Sequence, residues 1–293
     1  MTRIICIGGA HLDQIGRTHG KAKLHTSNPG TMTVHAGGVA RNVASLLVRS
    51  GHAIGLLSVI GDDQDGQTLL SRCRSDGLST ELLHQVPGRE TARYLAIEDE
   101  AGDLVTAIAA MDIYSALSAD LISTHADIIQ QASLVFADTN CSADALDWLA
   151  SLAPRPFLAV DAVSIAKARR LENSLTAFDL VFCNRSEALS LLSCDATSTE
   201  ELASQIQAIG CKRALITDGP NPIACLEGDT IEMIPVTAIA QVSATGAGDA
   251  LIAGVLSGHV NGQSLANSVR SALSTARLAL QQLGSLTTDH ISS

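Results

Sequence analysis

The sequence predicts an α/β protein, with a mostly parallel central sheet covered by helices on both faces and a small β element set apart from it. Three observations lead there. Short apolar runs alternate with helical or turn segments along most of the chain, as βα units do. Two stretches, about residues 14–36 and 89–110, interrupt that alternation with strands that keep a polar face. The 293 residues, 46% hydrophobic, suffice for one large unit spanning 1–293. Aromatics make up only 2%, so Ala, Leu, Ile and Val must build its core.

The elements follow in order. RIICIGG (3–9) reads as a short apolar strand stopped by Gly8-Gly9, with a carboxylate, Asp13, just beyond. It does not match GxGxxG, so a dinucleotide-binding reading starts weak. Within 14–36, Asn28-Pro29-Gly30 marks a turn and TMTVH alternates like an exposed strand. GGVARNVASLLVRSG (37–51) opens on two glycines, runs as an amphipathic helix and stops at Gly51. AIGLLSVIG is a strand, and DGQTLLSRCRSDG is a helix ending in Gly77. RETARYLAIEDEAGDLVTAIAA (89–110) reads as a hairpin around an acidic Gly turn. ASLVFADT, PFLAVDAV, FDLVFCN and RALITDG are further short strands, and helices follow from Asp249 onward. The segments 14–36 and 89–110 are expected to join as one small sheet, a lid over an active-site edge.

Composition narrows the function. A net charge of -11 without any long Lys/Arg run argues against nucleic acid as a partner. The scarcity of aromatics removes the stacking platforms of single-strand binding. A small phosphorylated ligand stays admissible, because a local dipole site holds phosphate whatever the global charge. Seven cysteines, odd in number and without a CxxC pair, fit reduced buried thiols in a cytoplasmic protein. The nine histidines show no HExxH or zinc-ligand spacing. No run approaches the roughly 20 apolar residues of a membrane span, and residues 1–10 read as a strand, not a targeting segment.

Ligands of open parallel sheets bind beyond the carboxyl ends of the strands. Asp13, Asp161, Asn184 and Asp218 stand at such ends, although each alone reads equally as a turn or cap residue. Gly37-Gly38 permit close backbone approach at a helix start, and the Asn42 amide can both donate to and accept from a hydroxyl. NRSEA puts Asn184 and Glu187 on one face of a first helical turn. That suits Mg²⁺ held through water near a phosphate, and equally a simple cap with Glu at its third position. ITDGPNP, from Ile216, ends a strand in a turn that can frame an adenine or be a turn alone. The most specific piece is VSATGAGDALIAGVLSG (242–258). Gly246, Ala247 and Gly248 leave helix-start N–H groups open to an anion, and Asp249 follows as a base. Capping alone would also explain an Asp there.

IGGAHLD, GGVARN, GDDQDG, NRSEA and VSATGAGDA, in that order, resemble the ribokinase-like (PfkB) carbohydrate kinase family over about residues 4–280. The resemblance implies a three-layer ribokinase-like fold with a β lid, MgATP as donor, a sugar or nucleoside primary hydroxyl as acceptor, and in many members a need for K⁺. Within the family, SNPGTMTVHAGGVARNVA, TARYLAIEDEAGDLVTAIAAMDIYSAL and VDAVSIAKARRL resemble the pseudouridine kinase branch. Its expected reaction is ATP-dependent phosphorylation of the pseudouridine 5′-hydroxyl. The alternatives are another nucleoside, ribose or a ketose as acceptor, and, from a different class, a catalytically silent sugar-binding sensor. The resemblance makes Asp249 the base and Gly246, Ala247 and Gly248 the anion hole. It gives ribose hydroxyls to Asp13, Gly37, Gly38 and Asn42, the nucleotide to Asn184, Thr217, Gly219, Gly246 and Gly248, and the Mg²⁺ region to Glu187. Lys167 and Thr91 are expected to help recognise the acceptor, although VSIAKARRL also reads as a solvated basic helix face. A homodimer through the lids is expected by the same analogy.

Overall fold

In the computed structural model, which describes residues 3–236 and 246–275, the strands in chain order are β1 (Arg3–Ile7), β2 (His11–Thr18), β3 (Gly30–Gly37), β4 (Ala53–Gly61), β5 (Leu83–Val86), β6 (Arg93–Glu98) and β7 (Leu104–Ala110). They continue as β8 (Leu134–Asp138), β9 (Phe157–Asp161), β10 (Leu180–Asn184), β11 (Arg213–Asp218), β12 (Asn221–Glu227) and β13 (Thr230–Ile234). The helices are α1 (Val39–Arg49), α2 (Gln64–Ser75), α3 (Ala119–Ser123), α4 (Ala126–Gln130), α5 (Ala143–Ala150), α6 (Ile165–Ala168), α7 (Arg185–Leu192), α8 (Thr199–Ala208) and α9 (Ala247–Val260). A further helical stretch covers 265–275.

Nine strands form the main sheet in the order β13-β12-β11-β10-β9-β8-β1-β4-β5. All neighbours from β11 to β5 are parallel, and β12–β13 add an antiparallel hairpin at one edge. The alternation of strand residues gives the sheet two buried faces. Ile5 and Ile7 of β1 pack with Leu146, Leu149, Leu202 and Ile206 on one side. Ile4 and Cys6 pack with Val43, Leu47, Leu69, Val255 and Leu256 on the other. The result is the three-layer arrangement that the sequence pattern predicts. All seven cysteines are free thiols, six of them buried. Among the described residues no helix is long and apolar enough to cross a membrane.

The two off-pattern segments do join, as a four-stranded sheet in the order β3-β2-β6-β7. Its first strand begins earlier than the pattern suggests, at His11. Gly8-Gly9 end β1 and the chain leaves the main sheet there, so Asp13 belongs to the small sheet, not to the end of a core strand. The register sorts the two faces. Asp13 lies beside His35 and Tyr94, and Tyr94 beside Ala109, which makes one row. Val34, Gln14, Leu95 and Ile108 form a row of the opposite parity, as do Met32, Gly16, Ile97 and Thr106. Met32 and Ile108 are more than half exposed on that second, largely apolar face.

Thr91 fastens the small sheet to the main one. Its hydroxyl donates to Asp63 Oδ1 (2.6 Å) and accepts from the Gly61 N–H (2.9 Å). Asp63 also caps α2 through Gly66, and Arg93 pairs with Asp65 in the first turn of that helix. The β12–β13 hairpin escaped the sequence pattern. Asp218, the last residue of β11, and Asn221, the first of β12, hydrogen-bond across the tight turn between them, so Asp218 serves to close that turn.

Candidate active site

Connections of the main sheet reverse at β1, with β4 on one side and β8 on the other. Such a switch point leaves a crevice beyond the strand ends. Gly8-Gly9 follow β1 into it and Asp138 ends β8 beside them. The Asp138 carboxylate is fully buried and accepts from the N–H groups of Gly9 (2.9 Å), Ala40 (2.9 Å) and Asn140 (2.8 Å). α1 has neither a side-chain cap nor an acidic residue in its first turn, and Asp138 provides both from a neighbouring strand. Burial raises the Asp138 pKa, and its N–H donors oppose that rise. At the start of α1, Gly38 has φ +100°, and a Cβ there would overlap the Gly9 carbonyl.

This clamp presents Asn42, in the first turn of α1, to the start of α9. Asn42 Nδ2 donates to Asp249 Oδ2 at 2.8 Å, joining residues 207 positions apart. α9 begins at Gly246, whose φ is +91°, with no side-chain cap on its first N–H groups. Burial pushes the Asp249 pKa up to about 6. The Asn42 bond and His11 pull it down, while Asp138 and Asp13 push it further up. The preceding residues Val242 to Thr245 of the same motif lie outside the described residues.

Asp13 completes the group from the small sheet. His11 Nε2 lies 3.1 Å from Asp13 Oδ1, and His11 Nδ1 lies 2.8 Å from the Tyr114 hydroxyl. A Cβ on Gly37 would collide with the Asp13 carboxylate, so this glycine makes room for it. Two carboxylates, an amide and an uncapped helix start therefore share one crevice, which can bind a polyhydroxylated molecule and draw a proton from it.

The model of the pfkB family carbohydrate kinases matches residues 1–291. The chain belongs to the pfkB family of carbohydrate kinases. It is 32% identical over 282 residues to a pseudouridine kinase of Escherichia coli, covering 94% of this chain and 90% of that one. Among solved structures it resembles a carbohydrate kinase from Agrobacterium tumefaciens, with TM-score 0.83, 27% identity and coverage of 96% of this chain and 91% of that one. An Arabidopsis thaliana ribokinase complexed with ribose and ATP shares the fold, with TM-score 0.82 at 18% identity, covering 96% of this chain and 93% of the other.

Seen as a pfkB kinase, the remaining expected residues fall into two groups. Asn184 and Thr217 are register partners at the ends of β10 and β11, and Gly219 follows in the turn to β12 with φ +56°. Asn184 and Glu187 form a full capping box on α7. Asn184 Oδ1 accepts from the Glu187 N–H, while both Glu187 oxygens accept from Asn184. The simple capping arrangement is thus the one the pair adopts. Burial nevertheless raises the Glu187 pKa, and Asp161 beside it is raised well above the carboxylate range by burial first and Glu187 next.

Lys167 is not on a solvated face. Its Nζ donates to Asn140 Oδ1 (2.6 Å), and burial lowers its pKa. With Arg89, Tyr114, Ser142 and Arg170 it lines a cavity of about 630 Å³. Thr91, expected to touch the acceptor, is buried with its hydroxyl engaged by Gly61 and Asp63, so it holds the small sheet in place instead. Asp138, Asn140, His11 and Tyr114 escaped sequence reasoning. Asp138 carried the same signal as Asp161, a carboxylate at a strand's carboxyl end, and ADTN could have been marked on that ground.

Asp138→Ala leaves three buried N–H groups without an acceptor. At about 1 kcal/mol or more for each, the loss is expected to reach roughly 3 kcal/mol, read from the midpoint of urea unfolding.

Proposed function

We propose that the chain transfers the γ-phosphoryl group of ATP to the 5′-hydroxyl of pseudouridine, giving pseudouridine 5′-phosphate and ADP. The observation that carries the transfer is the meeting of Asn42 with Asp249 at the uncapped start of α9. Asp249 takes the proton of the attacking hydroxyl as its oxygen closes on the γ-phosphorus in line, and the bond to the ADP oxygen breaks. The open N–H groups of Gly246, Ala247 and Gly248 stabilise the charge on the phosphoryl oxygens. Asp13, Gly37, Gly38 and Asn42 hold the ribose hydroxyls, and Asn184, Thr217 and Gly219 border the nucleotide. Mg²⁺ would neutralise the ATP phosphates. Glu187, with both oxygens engaged by Asn184, would meet it only through water.

The acceptor reading is supported by the convergence of two strings on one cavity. AIAAMDIYS contributes Ala109, Met111, Asp112, Tyr114 and Ser115, and VSIAKARR contributes Lys167 and Arg170. Donors from Lys167, Arg89 and Arg170 suit a base that presents two carbonyl oxygens, as the uracil ring of pseudouridine or of uridine does. The 32% identity to a pseudouridine kinase points the same way. In this reading residues 1–293 act as one kinase domain in the cytoplasm, where free thiols persist. The small sheet is its lid, closing on the acceptor and excluding water. The apolar outer face of Met32, Val34, Leu95 and Ile108 is covered by the lid of a second copy.

ADP release with MgATP is expected with pseudouridine and not with uridine, adenosine, ribose or fructose, in assays with and without K⁺. Asp249→Asn should lower that rate by about 10²-fold or more at unchanged fold. Activity with ribose alone would keep the mechanism and overturn the acceptor. A silent panel with folded protein would favour a binding sensor. The base must be ionised to act, so kcat/KM should fall about tenfold per pH unit below an acid limb near pH 6. A flat profile between pH 5 and 7 contradicts Asp249 as the base. Ile108→Lys should halve the mass seen by analytical ultracentrifugation, and a monomeric wild type sinks the paired lids.

A further inference from the structure

Arg41 stands beside Asn42 in the GGVARN segment and is only 8% exposed. A buried guanidinium needs partners for its donors. Nη2 donates to Asp76 at the C-terminal cap of α2. Nη1 donates to the Ala36 carbonyl at the end of β3 (3.1 Å) and to Asn42 Oδ1 (3.0 Å). Nε is buried with no partner among the described residues.

The geometry points to Arg41 as a positioning residue: clamped by Asp76, its guanidinium fixes the Asn42 amide so that Asn42 donates to Asp249. This rests on the reading of Asp249 as the base. Arginine has donors only, so the amide edge that faces it must be the Asn42 oxygen. The amide nitrogen is thereby turned to Asp249, 2.8 Å away. A flipped amide would set its oxygen against a carboxylate, and both contacts would become repulsive. The chain Asp76–Arg41–Asn42–Asp249 thus carries an orientation from α2 through α1 to α9. Lysine cannot replace it, because a single ammonium cannot reach Asp76, Ala36 and Asn42 in the fixed fork of a guanidinium.

Donation to a carboxylate favours its ionised form, so losing it raises the Asp249 pKa. The other titratable groups that act on Asp249 are Asp13 and His11 of β2, Asp138 of β8 and Asp161 of β9. Arg41→Lys leaves all of them in place and keeps the charge at position 41. An arginine that merely ties α1 to α2 predicts lower stability and an unmoved Asp249.

The test is a pH titration of the full chain labelled with ¹³C at the aspartate carboxyls. The resonance missing from Asp249→Asn identifies Asp249. Arg41→Lys should move its midpoint upward by about half to one pH unit from the wild-type value, and Asn42→Ala should move it at least as far. Turnover of Arg41→Lys should fall several-fold more at pH 6 than at pH 8. An unmoved midpoint in Arg41→Lys overturns the inference. Should that variant fail to fold, Asp76→Asn loosens the clamp with Arg41 present. The same upward shift is then expected, and its absence is equally decisive. The titration needs no substrate. Full turnover in Asp249→Asn therefore sinks the base assignment alone, and an unmoved midpoint sinks the positioning role alone.

Discussion

A fully buried carboxylate, Asp138, holds the crevice together. It sits where the loop after β1, the start of α1 and the turn after β8 meet, and it takes one N–H from each. No apolar side chain could substitute, because three buried donors would stay unmatched. The glycines around it follow from this crowding. The Gly38 backbone lies against the Gly9 carbonyl, and the direction of α1, hence of Asn42, depends on that close approach. The position of the candidate base is therefore set by contacts that never touch a substrate.

The same crevice gathers Asp13, Asp161, Glu187 and Asp249 around Asp138, a concentration of like charge that water would normally screen. Burial raises the pKa of Asp138, Asp161, Glu187 and Asp249, and their mutual repulsion adds to the rise at Asp161 and Asp249. Asp249 accepts a hydrogen bond from the Asn42 amide and has a histidine within electrostatic reach. It is held at about 6, ionised at neutral pH yet close enough to accept and release a proton. Asp161, whose carboxylate accepts from the Val163 N–H, is raised well above the carboxylate range by burial first and Glu187 next.

Much of this was legible in the sequence. The βα alternation, the two glycine-led helices and the polar-faced insertions each follow from a period or a breaker, and each is local. The convergence of GGVARN with GAGD was not legible as a contact, since no spacing rule joins residues 207 apart. Asp138 was readable in principle by the strand-end rule, but ADTN carries no glycine beside it to attract notice. His11 and Tyr114 were hidden for a different reason. Their link to Asp13 depends on the chain leaving the main sheet at Gly8-Gly9, and nothing local distinguishes that exit from a longer β1. Lys167 looked like a solvated helix residue because VSIAKARRL has a basic character. α6 covers only Ile165–Ala168, too short to present a regular face, and the lysine turns inward to Asn140.

The anionic crowding raises a further constraint on the architecture. Carboxylates that repel one another must be offset by positive potential, and Lys167 supplies part of it at Asp138. The backbone adds to it. α1 directs its N-terminus at the Asp138 carboxylate, which caps it, and α9 carries Asp249 in its own first turn with no side-chain cap, so a helix N-terminus lies beside each of these two carboxylates. The two glycines that open these helices, Gly38 and Gly246, are therefore more than permissive turns. Gly38 carries no capping side chain of its own, so the buried Asp138 takes that place and organises the crevice.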